Sequence, residues 1–282
     1  MNKILFFIFI ALVFLNFYFY YYFFSYKELK NTSVFYLNVG QGDSELIRSQ
    51  AGNVLIDAGP GRLILDNLGK ALPYFDKTID IFILTNQDRD HYAGFFDLIK
   101  YYRVRVVMIY NRLSNDQWLK DFISEVQKRE IPIFIAAQGA EIDLGDSQKI
   151  KVLYPLKATD LSPSFNKNHL SVILDFASRF RRFLFLSDAD KAALGQILPS
   201  LGKYDVLKVS HHGSLYNTTK ELLERVNPYY SVIEVGKNNY GHPAPEVLSL
   251  IGQIGSQLLR TDLDGLIRFN EDQNGRLKLS RY

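Results

Sequence analysis

The chain has 282 residues, of which 47% are hydrophobic and 22% charged, a balance typical of a globular protein rather than a disordered one. It contains no cysteine, which excludes disulfides and thiolate zinc sites, so any bound metal must be held by His, Asp or Glu. The formal net charge of +3 indicates an ordinary solvated surface more than it indicates an anionic partner.

The first predicted element is a membrane anchor over residues 1–26. Residues 4–26 carry no charge, and as a helix they reach about 34 Å, enough to cross a bilayer core. Tyrosines cluster near residue 26 as in an interfacial aromatic belt, and no small-residue cleavage site follows, so the pattern favours an uncleaved anchor over a signal peptide. We expect the rest of the chain to lie on the extracytoplasmic side, although lysines on the two sides of the run nearly balance.

A polar linker over residues 27–32 leads to one domain over residues 33–282. Runs rich in β-branched and aromatic residues predict strands at 34–39, 44–48, 54–57, 81–85, 104–110, 131–136, 150–154, 170–176, 182–186, 204–210, 229–235, 257–260, 266–270 and 276–279. Amphipathic stretches predict helices at 61–71, 91–102, 115–128, 191–198, 218–226 and 245–254, with caps at Asn115, Asp116, Thr218 and Thr219. Strands outnumber helices without a strict alternation, which predicts an α/β fold of two packed mixed sheets with helices outside.

Several predicted strands end in residues that bind metals. Asp88, Asp90 and His91 lie within four residues after the apolar strand 81–85. Other strands deliver Asp57, Asp188 and the pair His211–His212 in the same way. One aspartate at a strand end is usually a turn or cap residue, but four such ends indicate a metal site where the strands of a sheet meet.

The chain resembles the metallo-β-lactamase superfamily and, within it, the metallo-hydrolase domain of ComEC-type DNA-uptake proteins. The resembling stretches occur in the family's order at 35–44, 54–59, 83–91, 186–188, 205–214, 240–243 and 260–265. The resemblance implies a four-layer αββα sandwich with a dinuclear metal site at one edge. It also implies a separate channel protein as a partner, because this sequence has one apolar segment where that family has many.

The superfamily's metal motif is His-x-His-x-Asp-His. Laid on this sequence, it falls on residues 86–91, and the resemblance implies these metal ligands: Asp88, Asp90, His91, Asp188 and His211. Asp57 and Asn86 would brace the site. Asn86 stands where the family has a histidine, and a neutral amide is a weaker ligand, so we expect the first of the two metal positions to be the weaker one. We do not count His169 as a ligand. We expect one or two bound divalent ions, and carboxylate-rich ligands favour Mn²⁺ or Mg²⁺ over Zn²⁺.

The function we predict is that of a phosphodiesterase or nuclease related to DNA uptake, with a metal-activated water as the attacking group. Asp88 or Asp90 would orient or deprotonate the water, and His212 or His242 would protonate the leaving oxygen. The side chains expected to contact the phosphates of a DNA substrate are Arg89, Lys208, Arg260 and Lys203.

Two other functions remain open at this stage. The same water could attack a carbonyl group, as in a lactone, amide or thioester. Alternatively, the chain is a catalytically weakened, membrane-tethered binding module, a reading that Asn86 favours. The sequence does not give the oligomeric state.

Overall fold

The computed structural model describes residues 3–29, 31–110, 117–157 and 167–282. Within these ranges the helices are α1 Lys3–Leu29, α2 Leu63–Ala71, α3 Arg89–Tyr92, α4 Phe95–Tyr101, α5 Gln117–Lys128, α6 Lys191–Ile197, α7 Lys220–Val226, α8 Pro245–Gln253 and α9 Thr261–Asp264. Short 3₁₀ helices occupy Lys167–Leu170, Leu198–Ser200 and Ser210–Gly213.

The strands form two sheets. Their bounds are β1 Thr32–Tyr36, β2 Glu45–Ser49, β3 Gly52–Ile56, β4 Thr78–Leu84, β5 Arg103–Ile109, β6 Ile133–Ile135, β7 Glu141–Asp143, β8 Lys149–Tyr154, β9 Ile173–Ala177, β10 Arg182–Phe185, β11 Val206–Lys208, β12 Tyr230–Ile233, β13 Gln257–Arg260, β14 Ile267–Glu271 and β15 Leu277–Arg281. The first sheet has the order β15-β14-β1-β2-β3-β4-β5-β6 and the second the order β13-β12-β11-β10-β9-β8-β7. Both are mixed: β3 to β6 and β10 to β13 run parallel, and the remaining pairs are antiparallel.

Three apolar clusters separate four layers. The middle cluster joins the facing sides of the two sheets, for example Ile83 against the side that carries Phe185. Of the outer clusters, one packs α2, α4 and α5 on the first sheet and the other packs α6, α7 and α8 on the second. The predicted αββα sandwich is therefore confirmed.

Most predicted elements are present with shifted ends. The structure adds two short elements without a strong local pattern, β7 and α9, and it places Leu170 in a 3₁₀ helix rather than at the start of a strand. Thr219 caps α7 by accepting a hydrogen bond from the Leu222 amide. The predicted caps Asn115 and Asp116 lie outside the described residues.

The apolar run near the start of the chain forms a long helix. Residues 3–21 of α1 are long and apolar enough to cross a membrane, and none of that segment is buried. The helix continues to Leu29 and β1 begins at Thr32, so helix and strand occupy most of the residues predicted as a linker.

The parallel strands end at a common edge, which concentrates their following loops there. The backbone takes left-handed φ values at Asp57 (53°), Ser187 (49°), His211 (47°) and His212 (52°). Such values are uncommon outside glycine and cluster at functional sites. They point to this edge as the functional one.

Phe122 holds α5 on the first sheet, because its buried ring contacts Phe82, Tyr92 and Phe95. We expect Phe122→Ala to lower the free energy of unfolding by about 3–5 kcal/mol. The exposed Phe134 of β6 is the matched control, and Phe134→Ala should cost less than about 1 kcal/mol. Urea unfolding of the full chain in detergent, followed by the fluorescence of Trp118 in α5, measures both; equal losses would contradict this account of the core.

Candidate metal centre

A buried carboxylate forms the base of the site. Asp57 follows β3 and accepts hydrogen bonds from the amide of Thr85 (2.8 Å), from the Thr85 hydroxyl, and from Nδ1 of His91 (2.7 Å). The last bond leaves Nε2 of His91 as the nitrogen that faces the site, 3.3 Å from a carboxylate oxygen of Asp188. A histidine whose second nitrogen donates to a carboxylate is the usual form of a metal-binding imidazole.

Four side chains converge above this base. His212 Nε2 lies 3.3 Å from Asp90 Oδ2 and 4.0 Å from Asp188 Oδ1, and the ligand atoms of Asp90, His91 and Asp188 all lie within 4.8 Å of one another. Asp188 Oδ1 is buried and makes no hydrogen bond to any residue that the structure describes. Two carboxylates and two imidazoles with an unsatisfied buried oxygen between them fit a divalent cation.

The two adjacent histidines differ in orientation. His212 Nδ1 donates to the backbone oxygen of Glu234 (2.8 Å), which leaves its Nε2 as a ligand atom facing Asp90 and Asp188. His211 Nδ1 instead accepts from the amide groups of Asn168 (3.5 Å) and Asn217 (3.4 Å), so its Nε2 carries the proton. That nitrogen lies 3.7 Å from Asp188. The geometry thus favours His212 over the sequence-predicted His211 as the ligand.

Asn86 and Asp88 are engaged elsewhere. The Asn86 amide donates to Asn168 Oδ1 (3.0 Å) and Ser171 Oγ (2.9 Å), and its oxygen accepts from the Asp88 backbone N–H (2.9 Å). Asp88 Oδ1 accepts from Lys167 Nζ at 2.8 Å. No group of metal-binding side chains among the described residues includes Asp88. The first metal position of the predicted pair is therefore not assembled in this structure.

A family model described as the metallo-β-lactamase superfamily matches residues 37–234, more than half of the chain. The chain belongs to the metallo-β-lactamase superfamily.

Curated relatives match more than four fifths of this chain. "ComE operon protein 3" of Bacillus subtilis is 30% identical over 83% of this chain and 32% of that protein. "Competence protein ComA" of Neisseria gonorrhoeae is 25% identical over 84% of this chain and 32% of that protein. The chain thus spans about a third of the length of these relatives, and the predicted ComEC-type resemblance is confirmed.

A solved structure supports the fold. The metallo-β-lactamase fold protein YhfI from Bacillus subtilis aligns with a TM-score of 0.52 and 12% identity over 81% of this chain and 95% of that one. The metallo-β-lactamase fold binds divalent metals, and the acidic and histidine groups of this chain are able to hold one.

A cavity of about 590 Å³ opens over the metal centre. Its walls include the predicted catalytic residues Asp88 and His242 and the predicted substrate-binding residue Arg89. The Arg89 guanidinium lies 4.6 Å from the centre of the Trp118 ring, which holds this cation at the cavity wall. Burial lowers the pKa of His242, and the neighbouring histidines add to that effect.

Two predicted phosphate contacts need correction. The side chain of Lys208 is fully buried and its ammonium pairs with Asp43, so it does not reach the cavity. Arg260 donates two hydrogen bonds to Asp262 and is not part of the cavity wall. Lys203, a further predicted phosphate contact, donates instead to the backbone oxygen of Glu224 on the surface.

A buried charged cluster lies directly behind the metal centre. It consists of Asp43, Glu45, Lys208 and Glu234, and Asp43 Oδ1 lies 3.3 Å from His212 Nδ1. Burial alone would raise the pKa of Asp43, but Lys208 and His212 outweigh burial and hold it well below its usual range. Sequence reasoning missed Asp43, although it lies in the Val-Gly-Gln-Gly-Asp segment that carries the family resemblance.

The surrounding carboxylates give the centre a strong preference for positive charge. Burial lowers the pKa of His212, but Asp43 and Asp188 outweigh that effect and raise it to about 10. The charges that hold a proton on His212 equally attract a divalent cation, whose binding displaces that proton.

Metal titration separates the two histidines. We expect the full chain to bind one Mn²⁺ per molecule. His212→Ala should weaken binding by about 100-fold or more, because loss of a residue that only hydrogen-bonds to a ligand typically costs about 10–100-fold. His211→Ala should weaken it by less than about 10-fold, because that side chain is not a ligand in this arrangement. Isothermal titration calorimetry measures both values; the reverse order, or two ions per chain, would contradict the assignment.

Glu45 and Glu234 predict a pH dependence of stability. Their carboxyl groups share a hydrogen bond, and burial, opposed by Lys208, raises the pKa of Glu45 to about 8. The folded state therefore binds a proton that the unfolded state has already released, so stability falls as the pH rises from about 5 to about 8. Glu45→Gln should make this fall in the melting temperature smaller. A slope unchanged from that of the wild type would show that the buried pair does not titrate in this range.

Proposed function

We propose that this chain is a membrane-anchored, divalent-metal-dependent phosphodiesterase related to DNA uptake. The observation that carries the proposal is the convergence of Asp90, His91, Asp188 and His212 under an open cavity. A divalent ion held by these four residues would supply an activated water and neutralise charge on a phosphoryl group. We infer one tightly bound ion, and the two carboxylates favour Mn²⁺ or Mg²⁺.

The chain's own residues would orient the attacking water and stabilise the leaving oxygen. Burial raises the pKa of Asp90, but the hydrogen bond from His212 and the charge on His91 outweigh burial, so Asp90 stays ionised and is able to orient the water. His211 carries its proton on Nε2, beside Asp188 and on the cavity wall. The Nε2–H of His211 is therefore our choice for the group that donates a hydrogen bond to the leaving oxygen, in place of His212, which is held as a ligand.

The cavity wall supports an anionic substrate. Arg89 lies on that wall and is stacked on Trp118, a geometry suited to a phosphate next to the cleaved bond. The names of the curated relatives refer to competence, which makes DNA the polymer we propose. We further propose that α1 anchors the chain in the membrane, that the hydrolase domain is extracytoplasmic, and that a separate protein provides the channel.

A catalytically weakened binding module is the second candidate function. The hydrogen bonds that engage Asn86 and the ion pair of Asp88 with Lys167 favour it, because they leave a single metal position. A chain with one ion could grip the phosphate backbone without cleaving it. Activity measurements separate the two functions.

The decisive assay uses the full chain in detergent with Mn²⁺. We expect hydrolysis of bis(p-nitrophenyl) phosphate and cleavage of DNA, both abolished by EDTA and reduced at least about 100-fold by Asp188→Asn, because this removes the central ligand. The control is Asp97→Asn, since Asp97 pairs with Lys100 on the surface and the change should leave activity unchanged.

Three results would count against the proposal in different ways. Hydrolysis of a lactone or thioester without diester cleavage would indicate a carbonyl substrate. Metal binding and DNA binding without cleavage would indicate the binding module. If the chain bound no divalent cation, every metal-dependent function would be excluded.

A further inference from the structure

The topology separates the metal centre from the attachment point of α1. Strand β1 is antiparallel to β2, which is antiparallel to β3, so β1 runs in the same direction as β3, β4 and β5. The metal centre lies at the carboxyl ends of these strands, after β3 and β4. Thr32, the first residue of β1, therefore lies at the opposite edge of the sheet.

We call this opposite edge the amino edge. It comprises the start of β1 and the loops that precede the parallel strands, at residues 50–51, 72–77, 101–102, 128–132 and 178–181. Hydrogen bonds tie the two sheets together there: Glu271, the register partner of Thr32, accepts from the Ser178 hydroxyl and from the Phe180 amide (3.1 Å).

A short connection keeps the amino edge close to the end of α1. The helix ends at Leu29 and β1 begins at Thr32, so two residues lie between them. An extended chain covers at most about 3.6 Å per residue, which limits the gap from Leu29 to Thr32 to about 11 Å. The uncharged run ends at residue 26, and three more helical residues add about 4.5 Å. The amino edge thus lies within about 15 Å of the end of an apolar membrane span.

Exposed aromatic rings project from this edge. Tyr74 is 78% exposed and Phe75 82% exposed, and their rings pack edge to face at 5.3 Å in the loop before β4. Other large exposed aromatic side chains of the amino edge are Tyr101 and Phe180. Aromatic side chains prefer the boundary between lipid and water, whereas contiguous exposure to water alone is unfavourable.

Cations accompany these rings. Lys77 Nζ lies 4.8 Å from the Tyr102 ring and 5.8 Å from the Tyr74 ring. Arg103 is exposed at the start of β5, beside a groove of about 430 Å³, and makes no ion pair with a residue that the structure describes. Arg179 lies 5.3 Å from the Phe180 ring. Basic side chains beside interfacial aromatic residues suit the negative surface of an anionic bilayer.

We propose that the amino edge rests on the membrane surface beside α1. Tyr74 and Phe75 enter the interface, and Lys77 and Arg103 contact anionic lipid headgroups. The proposal rests on the anchoring role of α1, but it does not depend on the reaction at the metal centre. Seven-residue strands such as β4 place the cavity about 23 Å farther from the bilayer, opening away from it. The domain would thus hold a fixed orientation rather than tumble at the end of a tether.

The test uses the single tryptophan of the chain as an internal control. Trp118 contacts Arg89, a residue of the cavity wall. The full chain is reconstituted in vesicles of phosphatidylcholine and phosphatidylglycerol with brominated or ordinary acyl chains. Wild-type fluorescence should be the same in both. The double variant Phe75→Trp, Trp118→Phe should lose about half of its fluorescence in the brominated vesicles, because its indole lies at the interface.

Further variants examine the charges and the anchor. Lys77→Glu with Arg103→Glu, added to the double variant, should reduce quenching, whereas Lys220→Glu, at an exposed position of α7, should not. Flotation of the vesicles reports on anchoring independently. Unquenched fluorescence of the indole at position 75 in floating vesicles would overturn the docked orientation, as would equal quenching of Trp118. Failure to float would overturn the anchor and the orientation together, while cleavage of DNA by the wild-type sample reports on the proposed reaction alone.

Discussion

The buried carboxylate of Asp57 is the constraint on which the metal centre depends. Three hydrogen bonds, from the Thr85 amide, the Thr85 hydroxyl and His91, tie the end of β3 to the loop after β4. Burial raises the pKa of Asp57, and it is these partners that oppose burial and favour its ionised form. Without them the His91 ring would have no fixed direction, and a metal site built from loops would have no rigid wall.

Sequence patterns predicted where the strands end. They did not predict side-chain directions that depend on single dihedral angles. Apolar runs that end in Asp or His identified the strand ends, because period and composition are local properties. The choice between His211 and His212 follows from left-handed φ values of 47° and 52°, which no propensity reveals. Lys208 looked like a surface cation, but Asp43, distant in sequence, draws it into the interior. Arg260 has its partner two residues away, and only its rotamer decides whether it points to substrate or to Asp262.

Asn86 stands where the family has a histidine ligand, and its side chain is engaged in hydrogen bonds with its neighbours. Its amide joins Asn168 and Ser171, two residues of the segment before β9, and its oxygen fixes the backbone of Asp88. The polar groups that would surround a first ion are thus satisfied by one another, and Lys167 supplies a positive charge next to Asp88. A lysine beside a carboxylate is an electrostatic substitute for a cation, although it activates no water. Restoring a histidine at position 86 alone would therefore break this network before it gained a ligand.

The position of β1 in its sheet has a consequence for the order of events during synthesis. β1 lies between β2 and β14, and its register partners in β14 are residues 267–271, more than two hundred positions later in the chain. The eight-stranded sheet cannot close until those residues have been made. The helix that precedes β1 leaves the ribosome long before then. If α1 anchors the chain as proposed, the domain would fold as a chain already held at one end.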